Sequence, residues 1–207
     1  MPYRLFPATR SVVRAVIVWL LLIECVFGTV SYHQTPAQQK MIQELRDDEV
    51  IAQISSTESE RATAAVEEIV KRGARMIPLL MRKKGDKNYF WGYLATAENS
   101  ATAISVPSGD RRRDKSFLKE GKFVTVEVAA LYLITAIYWD SLNIAQGPYL
   151  TDLSQPEIKR REANTEKLIK RGWKSVEHWV VELNKQGMAG LRAKKHAPLD
   201  DANIRFW

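Results

Sequence analysis

Three histidines, one cysteine and a short acidic run are the side chains with which this 207-residue chain could do chemistry. His33, His178 and His196 stand apart, and none falls in H-E-x-x-H or another metal-ligand spacing, so they suggest no metal site. His178 lies in a tryptophan-rich amphipathic stretch and reads as an ordinary surface or boundary residue. Asp47, Asp48 and Glu49 read as acids at a helix start, where the helix dipole favours negative charge. Cys25 lies inside an early hydrophobic segment, which leaves the rest of the chain without disulfide, thiolate nucleophile or cysteine-held metal. No G-x-S-x-G, P-loop or G-x-G-x-x-G occurs. The sequence thus gives an enzyme no residues to rest on, and it implies no cofactor.

Two stretches suggest binding instead. "NYFWGYL", Asn88 to Leu94, is the most aromatic run. Tyr89, Phe90, Trp91 and Tyr93 are its candidate partner-binding residues; alternatively their rings cover the open end of a helix stack. "DRRRDK", Asp110 to Lys115, offers Arg111, Arg112 and Arg113 to phosphates or anionic headgroups, but its acids equally suit a solvated loop. The terminal Phe206 and Trp207 fit either a recognition tag or a pair of rings tucked into a groove. Net charge is +7 with a pI near 9.5. Setting aside Arg4, Arg10, Arg14 and Glu24 leaves 28 basic residues against 23 acidic ones. That mild excess is far from the dense stripe of a dedicated nucleic-acid binder.

These residues must be positioned by helices. Residues 1–32 form a signal peptide or signal anchor: a basic start, an apolar run from Ala15 to Ile23, and small residues beyond that permit cleavage before Thr29. If uncleaved, residues 15–32 would enter the membrane, and the preceding arginines would keep the N-terminus inside and export the body. Further on, Thr57 and Glu60 match a capping box. Ala62, Ala65, Val66, Ile69 and Val70 then make one apolar stripe. Gly73 ends that helix, and Pro78 falls in the first turn of the next, whose inward face is Met76, Ile77, Leu80 and Met81. "RATAAVEEIVKRG" (Arg61–Gly73) recurs as "RREANTEKLIKRG" (Arg160–Gly172), a repeat signal that ends both times in K-R-G at an expected helix stop. Val126–Trp139 is the most apolar piece of the body and is expected to be a buried central helix, with a short membrane span as the rival.

"ERATAAVEEIVKRGARMIPLLMRK" resembles a HEAT-type repeat: R-x-x-A-x-x-x-[LI], a turn after glycine, then x-I-P-x-L-[LM]. The resemblance covers Asp47–Gly85 well, Glu127–Leu150 in part, and a third unit only in its first helix, since Glu177 stands where the proline should be. It implies a stacked helical solenoid used for protein binding, without catalytic machinery. The expected architecture is all-α: antiparallel helical hairpins stacked in a short right-handed array over residues 36–186, with a polar insertion at about 98–122 and a loose tail at 187–207. The expected function is a noncatalytic interaction or scaffold module of a bacterial cell envelope, periplasmic, secreted or anchored in the inner membrane, with a protein partner. The alternative is a nucleic-acid-binding helical-repeat protein.

Overall fold

The computed structural model describes residues 36–92, 94, 124–145, 148–156 and 164–206, and these are mostly helical. The expected signal or anchor at 1–32, the insertion at 98–122 with Arg111–Arg113, Tyr93 and Trp207 lie outside the described residues.

Helices α1 (Pro36–Glu44) and α2 (Asp47–Gln53) pack on α3 (Ser59–Arg72). All three acids of Asp47–Glu49 stand in the first turn of α2, where Glu49 reaches back to accept the Arg46 backbone N–H at 2.8 Å. The stripe on α3 is realised: Ala62, Ala65, Val66 and Ile69 are buried, with Val70 partly so. The expected Thr57–Glu60 capping box does not form. The helix starts one residue later: Ser56 Oγ accepts the Glu58 N–H at 3.1 Å, and Glu58 occupies the N-cap without side-chain capping.

Gly73 ends α3 with φ 70° and ψ −145°, backbone that an L side chain resists. A 3-10 turn (Gly73–Met76) leads into α4 (Ile77–Met81), with Pro78 in its first turn, where no helical N–H is lost. Met76, Ile77 and Leu80 are buried as expected. α4 is only five residues long, and it packs on α2 and on α5 (Val126–Trp139).

α5 is the centre of the core. Every residue from Val126 to Tyr138 is buried, because α3 and α4 cover it from the preceding chain and α6 (Glu166–Ala193) from the following chain. An evenly apolar helix demands such surroundings. Thr125 caps its start, and Asp140 ends it in the left-handed conformation. Glu127 is tolerated inside because it takes the Gly85 N–H at 3.1 Å and pairs with Lys87. Its place in the first turn also suits the helix dipole. At the other end Arg192 donates to the carbonyls of Tyr138 (2.7 Å) and Ile137 (3.0 Å). Among the described residues no helix is long and apolar enough to cross a membrane.

α6 corrects the expected helix stop at Gly172. Gly172 does not stop a helix; α6 runs straight through it and kinks only at Gly187 (φ 72°, ψ 170°). No proline follows Gly172 as Pro78 follows Gly73. Gly172 is instead a close-approach residue: a Cβ there would lie 3.2 Å from Ile204 Cδ1 and 3.4 Å from Leu131 Cδ1. The expected loose tail is also corrected. Residues after Gly187 fold back through a 3-10 turn (Asp200–Ala202) into β2 (Ile204–Phe206), which pairs antiparallel with β1 (Leu150–Asp152) in the register Leu150–Phe206, Thr151–Arg205 and Asp152–Ile204. Buried Phe206 stands edge-on to Tyr132 at 5.0 Å, so the apolar tail residues complete the core over α5. Burial pushes the Tyr132 phenol up to about 12, and its hydroxyl donates to Leu142 O at 2.6 Å.

Candidate functional site

Two places on the described chain carry side chains suited to binding. The first is the aromatic run. Its backbone is stitched to the residues that lead into α5: Tyr89 bridges Thr125, Phe90 N–H donates to Val124 O at 3.0 Å, and Val126 N–H donates to Asn88 O at 2.9 Å. Extended backbone sends successive side chains to opposite sides. Phe90 accordingly points inward and is 3% exposed, which removes it from any contact surface. Tyr89 and Trp91 are half-buried on the other side and stand edge-to-face at 4.8 Å. Gly92 is buried against α3, where a Cβ would come within 2.9 Å of both the Ala62 carbonyl carbon and its Cβ. Sequence reasoning grouped four rings; the structure holds two of them together on the outside and places one in the core.

The second place was not legible as a site. On successive turns of α6, Arg171, Lys174 and His178 line an open cleft of about 430 Å³, closed on its far side by Ser154, Asp201 and Asn203. Asp201 joins two histidines that nothing in their spacing pairs: His178 Nδ1 lies 2.7 Å from Oδ2 and His196 Nε2 lies 3.2 Å from Oδ1. The hydrogen bond to His178 is the main reason the Asp201 carboxyl sits below its usual value, with the positive character of His196 adding to it. An ionised carboxylate only accepts, so Nδ1 of His178 carries a proton.

Arg171 shapes the floor. Its guanidinium donates to Asp152 Oδ2 at 2.8 Å and to Ala202 O at 2.5 Å, fastening α6 to β1 and to the 3-10 turn that precedes β2. Together with Ser154, that contact brings the Asp152 carboxyl down to about 2. Arg72, ninety-nine positions earlier, plays a parallel part on α3: it donates to Glu68 Oε1 (2.8 Å), to Asp47 Oδ1 (2.7 Å) and to the carbonyl of Gln43 (3.2 Å). Ser154 Oγ donates to Asp152 Oδ1 at 2.6 Å and Ser175 Oγ to Pro198 O at 2.8 Å, so both serine hydroxyls of the cleft are committed. Among the described residues no three His, Cys, Asp or Glu side chains converge as a metal site. Proximity of residues 178, 196 and 201 arises from the chain reversal after Gly187, a tertiary event with no local sequence signature. Comparison with protein-family models, with curated proteins and with solved structures gave no match.

Proposed function

We propose that this chain is a noncatalytic interaction module at the cell envelope. Its helices form a short HEAT-like stack in sequence order, carried behind an N-terminal signal or anchor at residues 1–32. The observation that carries the reading is the outward pair Tyr89 and Trp91, packed edge-to-face on backbone that is bonded to the start of α5 and seated on α3. Rings held rigidly in this way lose little entropy on binding a protein partner. The order of packing, α1 and α2 on α3, α3 on α5, and α5 on α6, also agrees with a stack in which chain neighbours are spatial neighbours.

The test is site-specific photo-cross-linking in intact cells. A cross-linker at position 89 gives a discrete adduct that Trp91→Ala abolishes, whereas one at position 167 on the far helix gives none. Absence of an adduct, or an adduct indifferent to Trp91→Ala, refutes the aromatic patch. Fractionation with N-terminal sequencing separates this reading from the nucleic-acid alternative. A membrane or periplasmic protein starting near Thr29 or at Met1 supports the envelope reading. A cytosolic protein with salt-sensitive DNA or RNA binding overturns it.

A further inference from the structure

The cleft on α6 offers a function distinct from the aromatic pair. We propose that it binds a single oxyanion group, a phosphate or a carboxylate, held between Lys174 and His178. Lys174 is exposed on the wall, and among the described residues no carboxylate pairs with it. His178 stands one turn further along the same face and gives its Nδ1 proton to Asp201, so it holds an oxyanion as the imidazolium, through Nε2–H. The negative charge of Asp201 is shared between two imidazoles, and that of Asp152 is taken by Arg171. The two carboxylates nearest the cleft are therefore answered within the fold, and Lys174 is the charge left over. Asn203, held in the left-handed conformation beside the 3-10 turn, adds a polar side chain to the opposite wall. A volume of about 430 Å³ admits more than one oxyanion, so the anion is an anchoring group of a larger small molecule or of a lipid headgroup.

The arrangement suits an anion and not a cation. Its two accessible nitrogen groups come from a lysine and a histidine, and its serine hydroxyls already donate to other acceptors. Lysine recognises oxyanions as a point charge, without the bidentate geometry that arginine gives.

The full-length protein in a neutral detergent is titrated with inorganic phosphate and with acetate at constant ionic strength, while the ring resonances of His178 are followed by NMR. A saturable shift is expected for at least one of the two anions. Lys174→Ala, an exposed substitution checked for folding by circular dichroism, weakens binding by about tenfold or more. Lys170→Ala, one turn away and outside the cleft, leaves it unchanged. Vesicles with and without phosphatidylglycerol identify the source. A shift of His178 specific to the anionic vesicles and reduced in Lys174→Ala assigns a headgroup; a response to soluble phosphate or acetate alone assigns a small solute. Absence of saturation in every arm overturns the proposal. Equal weakening by Lys170→Ala and Lys174→Ala does so too, since it shows diffuse charge rather than a site.

Discussion

Replacing Gly92 by alanine tests where the aromatic run sits. The added methyl carbon would lie 2.7 Å from Phe90 Cζ and 2.9 Å from the carbonyl carbon and the Cβ of Ala62. Carbon atoms in good contact are about 3.5 to 4.0 Å apart, so each approach is too close by roughly half an ångström or more. The Phe90 ring can tilt. The Ala62 carbonyl carbon cannot move alone, because it belongs to α3 and Ala62 is fully buried. Overpacking of this kind costs about 1 to 3 kcal/mol, and the stiffer unfolded chain returns about 0.4 to 1 kcal/mol of that. The net loss is about 1 to 2 kcal/mol. In a protein of this size that lowers Tm by roughly 2 to 8 °C, measured by thermal unfolding followed at 222 nm in far-ultraviolet circular dichroism. Ala62→Gly in the same chain removes one of the collisions, so the double variant should lose less than the sum of the single ones. An unchanged or raised Tm for Gly92→Ala would refute the docking of this run on α3. The rigid outward placement of Tyr89 and Trp91 would fall with it.

Other substitutions probe the same framework. Gly73→Ala forces a side chain into φ 70°, ψ −145° and should cost about 1 to 3 kcal/mol in urea unfolding; a neutral result would remove the helix stop. Arg72→Ala strands the mostly buried Glu68, and because Asp47 keeps 34% of its side chain in solvent the expected loss is about 2 to 4 kcal/mol. Thr151 Oγ1 is buried with no hydrogen-bond partner among the described residues, so Thr151→Val, which keeps the shape, should stabilise by about 1 kcal/mol; destabilisation would show that the hydroxyl is bonded. Asp152 has a folded value of about 2, below its unfolded 3.8. Its contribution is therefore complete above pH 4 and disappears as pH falls to 2, about 1 to 2 kcal/mol after allowing for solvent on the Arg171 pair. The stability difference between wild type and Asp152→Asn should shrink over that window and stay flat above it.

The parts of the fold that sequence reading reached are those decided locally or by bulk apolarity. Val126–Trp139 has no polar face, so burial on all sides was its one stable place in a folded body. Gly73 and Pro78 constrain their own backbone torsions, which makes the boundary between α3 and the next turn readable from two residues. Gly172 shows the limit. Its residue type is that of a helix stop, but the lack of a side chain serves the approach of Ile204 and Leu131, and nothing near it in the chain announces either neighbour. Strands of three residues are too short to show alternation, so β1 and β2 were unreadable, and the cleft that depends on them went unseen. Thr57 fitted a capping pattern that the chain bypassed, because a motif states only that a bond is available.

The recurrence of K-R-G acquires a different meaning once these contacts are known. Its lysine and glycine do not share roles between the two copies, whereas its arginine does. Arg72 and Arg171 each lie on a helix that packs against α5, and each spends its guanidinium on an aspartate and a backbone carbonyl of a neighbouring segment. Positions Ala65 and Asn164, and Ile69 and Leu168, are likewise buried in both copies. An arginine with five donors in a fixed fork can tie a peripheral segment to a helix without adding apolar area, which a helix of modest length needs when its inner face is already filled. The shared feature is thus a tether on the flank of a central helix. If the tether is what the two segments share, Lys71→Ala and Lys170→Ala should leave urea stability unchanged within about 0.5 kcal/mol, while Arg72→Lys and Arg171→Lys each lose more than that, because a single ammonium nitrogen lacks the rigid fork that spans both acceptors. Equal effects of lysine and arginine changes would return the motif to mere helix composition.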